Sequence, residues 1–270
     1  MPVIRPAAVA GAFYPGDAAA LAEEVRRHLR SAPGARGEAR APKVIIAPHA
    51  GYVYSGPVAA SAYARVAPLR GTITRVVLAG PAHRVPVLGA AVPEAKAFAT
   101  PLGDIALDEG ALQRLRGLPF VESSDRAHAL EHSLEVQLPF LQAVLGQFLL
   151  VPVVVGGASP EEMARLLETV WGGDETLIVV STDLSHYLPY AMASERDRRT
   201  ADAILALSPR LEPEDACGAA PVNGLLVLAR RLGLGIELVD LRNSGDTAGG
   251  RGQVVGYGAF VLHESARRHA

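Results

Sequence analysis

The sequence predicts an α/β fold, a single domain over residues 1–270 whose largely parallel central sheet is flanked by helices. Three observations predict it. Short apolar runs rich in β-branched residues recur along the chain and read as strands buried on both faces. Segments with helical spacing of apolar residues lie between them. Three of the runs, Val44 to Ala47, Val76 to Ala79 and Leu177 to Val180, break at turn residues and then deliver a histidine: His49, His83 and His186. A lone histidine at a turn is ordinarily a satisfied polar residue. Three at the same kind of position, the carboxyl end of a strand where open α/β sheets place their ligand sites, suggest convergence.

Bulk composition narrows the function classes. Hydrophobic residues make up 49% of the 270 and charged residues 20%, enough for a sizeable core and against disorder. The formal net charge of −2 gives no footprint for nucleic acid or an anionic membrane. Lysine occurs only at Lys43 and Lys96, so the arginine content, with abundant Ala and Gly, reads as compositional bias. The single cysteine, Cys217, excludes an intramolecular disulfide. No run approaches the roughly 20 apolar residues of a membrane span, and Arg5 and three prolines interrupt the apolar N-terminus, so no signal peptide is read. The expected location is the cytoplasm.

In chain order, Asp17 is placed to cap a helix through Leu21, Val25 and Leu29. On it, Glu24 and His28 have the spacing of an ion pair on a solvated face. Ser31 to Pro42 is a Pro/Gly/Arg-rich loop. After the first strand, Pro48 and Gly51 form a turn, and a small-residue helix is expected from Pro57 to Val66. After the second strand come His83 and the apolar segment Leu88 to Val92. Short strands are expected at Ile105 to Leu107 and at Phe120-Val121, and Asp108 can cap the helix between them. His132 precedes a helix carrying Leu134, Leu138, Leu141 and Leu145, its start made irregular by Pro139. Phe148 to Val155 is a strand ending at Gly156-Gly157. Ser159-Pro160-Glu161-Glu162 matches a capping box with proline at the first helical position. A glycine pair before a helix can also cradle phosphate, but no nucleotide fingerprint accompanies it. Ala191 to Leu207 reads as an amphipathic helix with E-R-D-R-R on its outer face. Cys217 precedes another helix, and strands Ile236 to Leu241 and Val254 to Leu262 flank a glycine-rich loop that begins at Asn243.

Imidazole suits iron, zinc, copper and nickel. His49 and His83 form the strongest pair of metal ligands, and Cys217, Asp183, Glu131 and Asp215 are the candidates for a third. Cys217 has a physical claim, because a position just before a helix favours the metal-binding thiolate; its plain alternative is a small buried hydrophobe. His186 follows Asp183 by three residues, which suits a histidine held by a carboxylate and poised as acid or base. Tyr52 and Tyr54, beside His49, are placed to orient a substrate.

The motifs A-V-A-G-A-F-Y-P-G, A-P-H-A-G-Y-V-Y-S-G, G-P-A-H-R, E-H-S-L-E-V-Q-L-P-F-L-Q, S-T-D-L-S-H-Y and N-S-G-D-T followed by V-V-G-Y-G occur here in order, nearly end to end. In them the chain resembles the Memo family, which includes the second component of AmmeMemoRadiSam systems. The resemblance implies a single Memo-like domain with the LigB-like fold of class III extradiol ring-cleaving dioxygenases, enzymes that hold Fe(II) with two histidines and a carboxylate. Carried over by motif, His49, His83 and Cys217 are the implied metal ligands. Asp183, His186 and His132 are the implied catalytic residues; Asn243 joins Tyr52 and Tyr54 as an expected substrate contact from its place in the chain, not from the resemblance.

Fe(II) is the implied cofactor, with copper or zinc as alternatives, since a thiolate is softer than a carboxylate. The implied activity is redox chemistry with O2 on a small aromatic or related substrate. A zinc-type hydrolase and a non-catalytic adaptor are the competing readings. The resemblance also implies radical-SAM and AMMECR1-like protein partners.

Overall fold

Among the residues described by the structure, a computed structural model covering 3–33 and 41–264, the chain forms twelve strands. They are β1 (Ile4–Arg5), β2 (Val44–Ala47), β3 (Arg75–Pro81), β4 (Ala90–Val92), β5 (Ala97–Thr100), β6 (Gly103–Ala106), β7 (Val121–Ser123), β8 (Leu149–Val155), β9 (Thr176–Ser181), β10 (His186–Leu188), β11 (Gly235–Asn243) and β12 (Val254–His263). The main sheet runs β10-β12-β2-β9-β3-β8-β4-β7, with β11 also paired to β12. Its middle, β2-β9-β3-β8, is parallel, while β12 joins β2 and β4 joins β8 antiparallel. The predicted parallel sheet is therefore the centre of a mixed one. A separate small sheet, β1-β5-β6, was not foreseen.

The central strands are apolar because both their faces are covered. β2 and β9 are buried at every position, β3 at all but its first. Helices Ala18–Ser31, Tyr52–Val66 and Leu138–Leu145 pack together, and Tyr52–Val66 also lies on β2, β11 and β12. Helices Glu109–Arg116, Pro160–Thr169 and Ala219–Leu232 form another group, the last lying on β3 and β9. No helix among the described residues is long and apolar enough to cross a membrane.

The local capping signals hold. Asp17 accepts from the Ala20 N–H and Asp108 from the Ala111 N–H, each at 2.9 Å. Ser159 and Glu162 close the capping box. Pro139 opens Leu138–Leu145 after a separate short helix, His132–Glu135.

Other expectations change. The helix expected to start near Pro57 starts at Tyr52, because the Tyr52 N–H finds the Phe13 carbonyl and the next N–H groups use Gly51. Interior proline costs about 3 kcal/mol. Burial of Tyr52 and Tyr63, on the order of 150 Å² or about 4 kcal/mol each, outweighs it. His28 does not lie on a solvated face: its ring is half-buried against Gly56 and Tyr52, with Glu24 3.6 Å away, where the first helix packs on the second. Asp197, within E-R-D-R-R of helix Tyr190–Leu205, is 2% exposed and accepts from the Ser185 N–H, and burial pushes its carboxyl up to about 6. Of the loop expected over 31–42, residues 34–40 lie outside the described residues, and Ser31 ends the first helix.

The glycine pair Gly156-Gly157 serves backbone packing and not a phosphate. A Cβ on Gly156 would sit 1.8 Å from the Val87 carbonyl oxygen, so only glycine lets the end of β8 lie against the loop that follows His83. Gly156→Ala should therefore cost about 3 kcal/mol. Gly250→Ala, where a methyl meets nothing within 4 Å, should leave the urea midpoint unchanged; equal midpoints for the two variants would refute the packing argument.

Candidate metal centre

The parallel strands β2, β3 and β9 end at one edge of the sheet, and there the chain delivers His49, His83 and Asp183. A fourth element meets them. The short helix His132–Glu135 is pinned where the Ser133 hydroxyl donates to the Pro81 carbonyl at 2.9 Å. Its approach needs Gly80, since a Cβ there would lie 2.9 Å from Leu134 and 3.0 Å from the Ser133 oxygen. The result is a cluster of three imidazoles. One ligating atom from each of His49, His83 and His132 lies within 4.8 Å of the others. The ring centroids are 5.2 Å apart for His49–His83, 5.5 Å for His49–His132 and 4.7 Å for His83–His132, the last pair stacked.

Hydrogen bonding decides which nitrogens are free. The Ser181 hydroxyl donates its one proton to the Ser133 carbonyl at 2.6 Å and accepts from Gln137 Nε2 at 2.8 Å. His49 Nδ1, also 2.8 Å from that oxygen, must therefore carry a proton and donate it. This leaves Nε2 with a lone pair. The Glu131 carboxylate takes the His83 N–H at 2.6 Å and lies 3.0 Å from His83 Nδ1. An ionised carboxylate only accepts, so His83 too presents Nε2. Buried His132 Nδ1 has no hydrogen-bond partner.

Electrostatics favours neutral rings at His49 and His132. Burial, then the charges of His83 and His132, holds His49 well below the ordinary imidazole range. Burial likewise brings His132 down to about 4, against the pull of Glu131. Burial pushes the Glu131 carboxyl up, but the His83 ring and the Ser133 and His83 N–H groups outweigh it and bring it down to about 2. Three imidazoles this close, two of them oriented by a hydroxyl and a carboxylate, are a donor set suited to a transition-metal cation.

The structure brings a further residue, His132, beside the predicted ligands. Cys217 Sγ lies 3.4 Å from His49 Nε2, but the group of three mutually close donors contains His132, which was expected to be catalytic. A nitrogen and a sulfur sharing one ion, at about 2.1 and 2.3 Å, sit about 3.5 Å apart, so Cys217 adjoins the centre from the His49 side. The expected thiolate is not favoured: burial, then the Asp183 carboxylate, pushes the thiol up to about 12, although the Asp183 N–H points at the sulfur from 3.3 Å.

Asp183 does not hold His186. Its Oδ1 takes the His49 N–H at 2.7 Å, and burial pushes its carboxyl up to about 7. His186, three residues on, lies on β10 opposite Val255, half-buried, where burial lowers its ring below the usual range. It remains close enough for its charge to act on His49. Tyr52 is 1% exposed and gives its hydroxyl to the Val136 carbonyl, which makes it core and not a substrate contact. Asn243 is 2% exposed and caps the short helix Ser244–Thr247, so it too is structural. Tyr54 is 40% exposed. Buried Tyr257, from V-V-G-Y-G, was missed; its hydroxyl is pushed up by burial and by Asp183, with Tyr54 and Tyr187 in range.

A cleft of about 900 Å³ near the amino ends of β3 and β8, bordered by Arg26, Arg75 and Asp104, holds no histidine or cysteine.

The Memo-like protein family model matches residues 5–261. A MEMO1 family protein of Methanopyrus kandleri is 37% identical, over 96% of this chain and 98% of its own length. One from Aquifex aeolicus is 35% identical, over 96% and 99%, and one from Sulfolobus acidocaldarius 34%, over 94% and 98%. The crystal structure of an uncharacterized Escherichia coli protein superposes with a TM-score of 0.54 at 14% identity, covering 82% of this chain and 100% of that one, a likeness of fold.

Acid stability follows from these groups. Both shifts are downward, so each contributes stability above its ordinary value that is lost as pH falls. His132 loses its share from 6.5 through about 4, and Glu131 from 4.5 through about 2. In metal-free protein, Glu131→Gln should cost on the order of 3 kcal/mol at neutral pH and remove the lower part of the acid limb. An unaltered stability–pH curve would contradict the bridging role.

Proposed function

This chain belongs to the Memo family, and we propose that His49, His83 and His132 would hold one redox-active metal ion, Fe(II) in first place, which would supply redox chemistry with O2 toward a small aromatic or related substrate. The observation that carries the reading is the meeting of three imidazoles, each with a candidate ligand nitrogen within 4.8 Å of the others. Two of the rings have their tautomer set by Ser181 and Glu131. Nδ1 of His132 adds a buried polar atom with no hydrogen bond among the described residues, the Glu131 carboxylate lying 3.3 Å from it. When bound, such an ion supplies a Lewis acid able to exchange electrons. Support for O2 chemistry comes from the family's resemblance in fold to the class III extradiol dioxygenases, which hold Fe(II) with two histidines and a carboxylate.

The chain's own residues have distinct roles in this reading. Ser181 and Glu131 fix two rings so that their Nε2 atoms face inward. His186, neutral through burial, takes a proton from a substrate hydroxyl. Asp183, whose carboxyl is pushed up to about 7, holds or releases a proton near neutral pH while anchoring the His49 backbone. Tyr54 offers an aromatic face at the rim. Cys217 stands beside His49 as a further donor; metal ligation would deprotonate it, and a thiolate there moves the preference toward copper or zinc.

Anaerobic purification with quantitation of iron, copper and zinc, paired with electron paramagnetic resonance, tests the centre. Stoichiometric metal in the wild type should disappear in His49→Ala and His83→Ala, and affinity should fall at least about tenfold in His132→Ala. Retention of full metal by His49→Ala would sink the assignment, and loss in Cys217→Ala but not His132→Ala would make the thiol the third ligand. Oxygen uptake driven by phenols or catechols is expected. Oxygen-independent turnover of esters or amides by a zinc-loaded protein would replace the oxidative reading with a hydrolytic one.

A further inference from the structure

The N-terminal motif A-V-A-G-A-F-Y-P-G has no place in the chemistry above, yet it is bound to the site's own elements. Glu135, wholly buried at the end of the short helix that begins with His132, is surrounded by donors from this segment. Its Oε2 accepts from Arg5 and from the Ala8 N–H at 2.7 Å, and its Oε1 accepts from the Val9 N–H at 2.9 Å and the Tyr14 hydroxyl at 2.6 Å. Arg5 continues to the His128 carbonyl at 2.8 Å and the Glu131 carbonyl at 2.7 Å. On the other side of the helix, the half-buried Phe13 ring lies 4.8 Å from the His132 ring, centroid to centroid. The Phe13 carbonyl also receives the Tyr52 N–H at 2.8 Å, at the start of the helix that follows His49.

A four-residue helix has no stability of its own, because nucleation fixes several residues for a single hydrogen bond. His132 therefore stands where its surroundings put it. It has His83 on one face and Phe13 against it, and at Nδ1 it has the Glu131 carboxylate 3.3 Å away but no hydrogen bond of good geometry to hold its orientation. We propose that residues 5–14 form a wall of the metal centre, with Phe13 as the positioning residue that sets the His132 ring. The segment does this from two sides: Glu135 ties down the helix, and Phe13 limits how far the imidazole can turn toward His83 and His49. The affinity part of the inference rests on the metal-centre reading; the orientation part does not.

Two measurements on the full chain test it. In metal-free protein, the imidazole Cε1–Hε1 signals of the histidines are recorded by NMR for the wild type, Phe13→Ala and Phe13→Tyr. Titration with Co²⁺ then gives metal affinity and, from the visible absorption, the coordination geometry. Phe13→Ala should shift and broaden the His132 signal while leaving His263 unchanged, and should weaken Co²⁺ binding about tenfold. Phe13→Tyr, which keeps the aromatic face, should restore both. A His132 signal that is the same in Phe13→Ala as in the wild type overturns the proposal, as does an equal disturbance of every histidine. If the wild type takes up no Co²⁺, the metal-centre reading fails, while the NMR comparison still decides the positioning role. Should Phe13→Ala not fold, Phe13→Leu keeps the apolar volume without the aromatic face and is judged by the same two measurements.

Discussion

One buried carboxylate holds the site together. Glu131 is 1% exposed, and its two oxygens gather the backbone and ring of His83 together with the N–H groups of His132 and Ser133. It thereby ties the turn after β3 to the helix that carries the third imidazole. Burying an anion is costly unless its lone pairs are satisfied. Here they are taken by donors from two separate elements, so the charge can persist only while those elements are together. The same bonds select the His83 tautomer, and stability and chemical readiness come from one set of contacts.

The remaining architecture follows from where parallel strands end. β2, β9 and β3 are apolar throughout because helices cover them, and their carboxyl ends are the first places where polar groups can be exposed to a ligand. Ser181 closes β9 and receives the His49 ring, while Gln137 and Ser133 complete the hydroxyl's bonding. The buried His49 ring is thus held neutral, a state in which it costs little to enclose and remains able to donate a lone pair. The N-terminal segment closes the back through Glu135 and the side through Phe13.

Much of this was legible in the chain. Apolar runs that break at Pro48, Gly80 and Ser181 mark strand ends, and the histidines at two of those breaks meet as expected. Caps at Asp17, Asp108 and Ser159 are local devices whose donors lie within three residues, so the sequence contains all that they need. The errors lie where a short-range signal competed with distant packing. Pro57 reads as a helix start until the buried Tyr52 and Tyr63 are seen to outweigh it. Tyr52 and Asn243 sit within motif stretches near functional residues, yet their side chains turn into the core and a helix cap.

What the sequence determined by itself was the fold class, the family and the positions at which strands yield histidines, because periodicity, caps and turns are properties of neighbouring residues. Which groups meet was decided only by the tertiary structure. Glu131 reaches His83 across 48 positions and Ser181 reaches His49 across 132; Asp183 chose the His49 backbone over His186, and His132 rather than Cys217 completed the close trio. Such pairings depend on how helices and strands dock, and docking is set by the summed packing of the whole core, which no local stretch encodes.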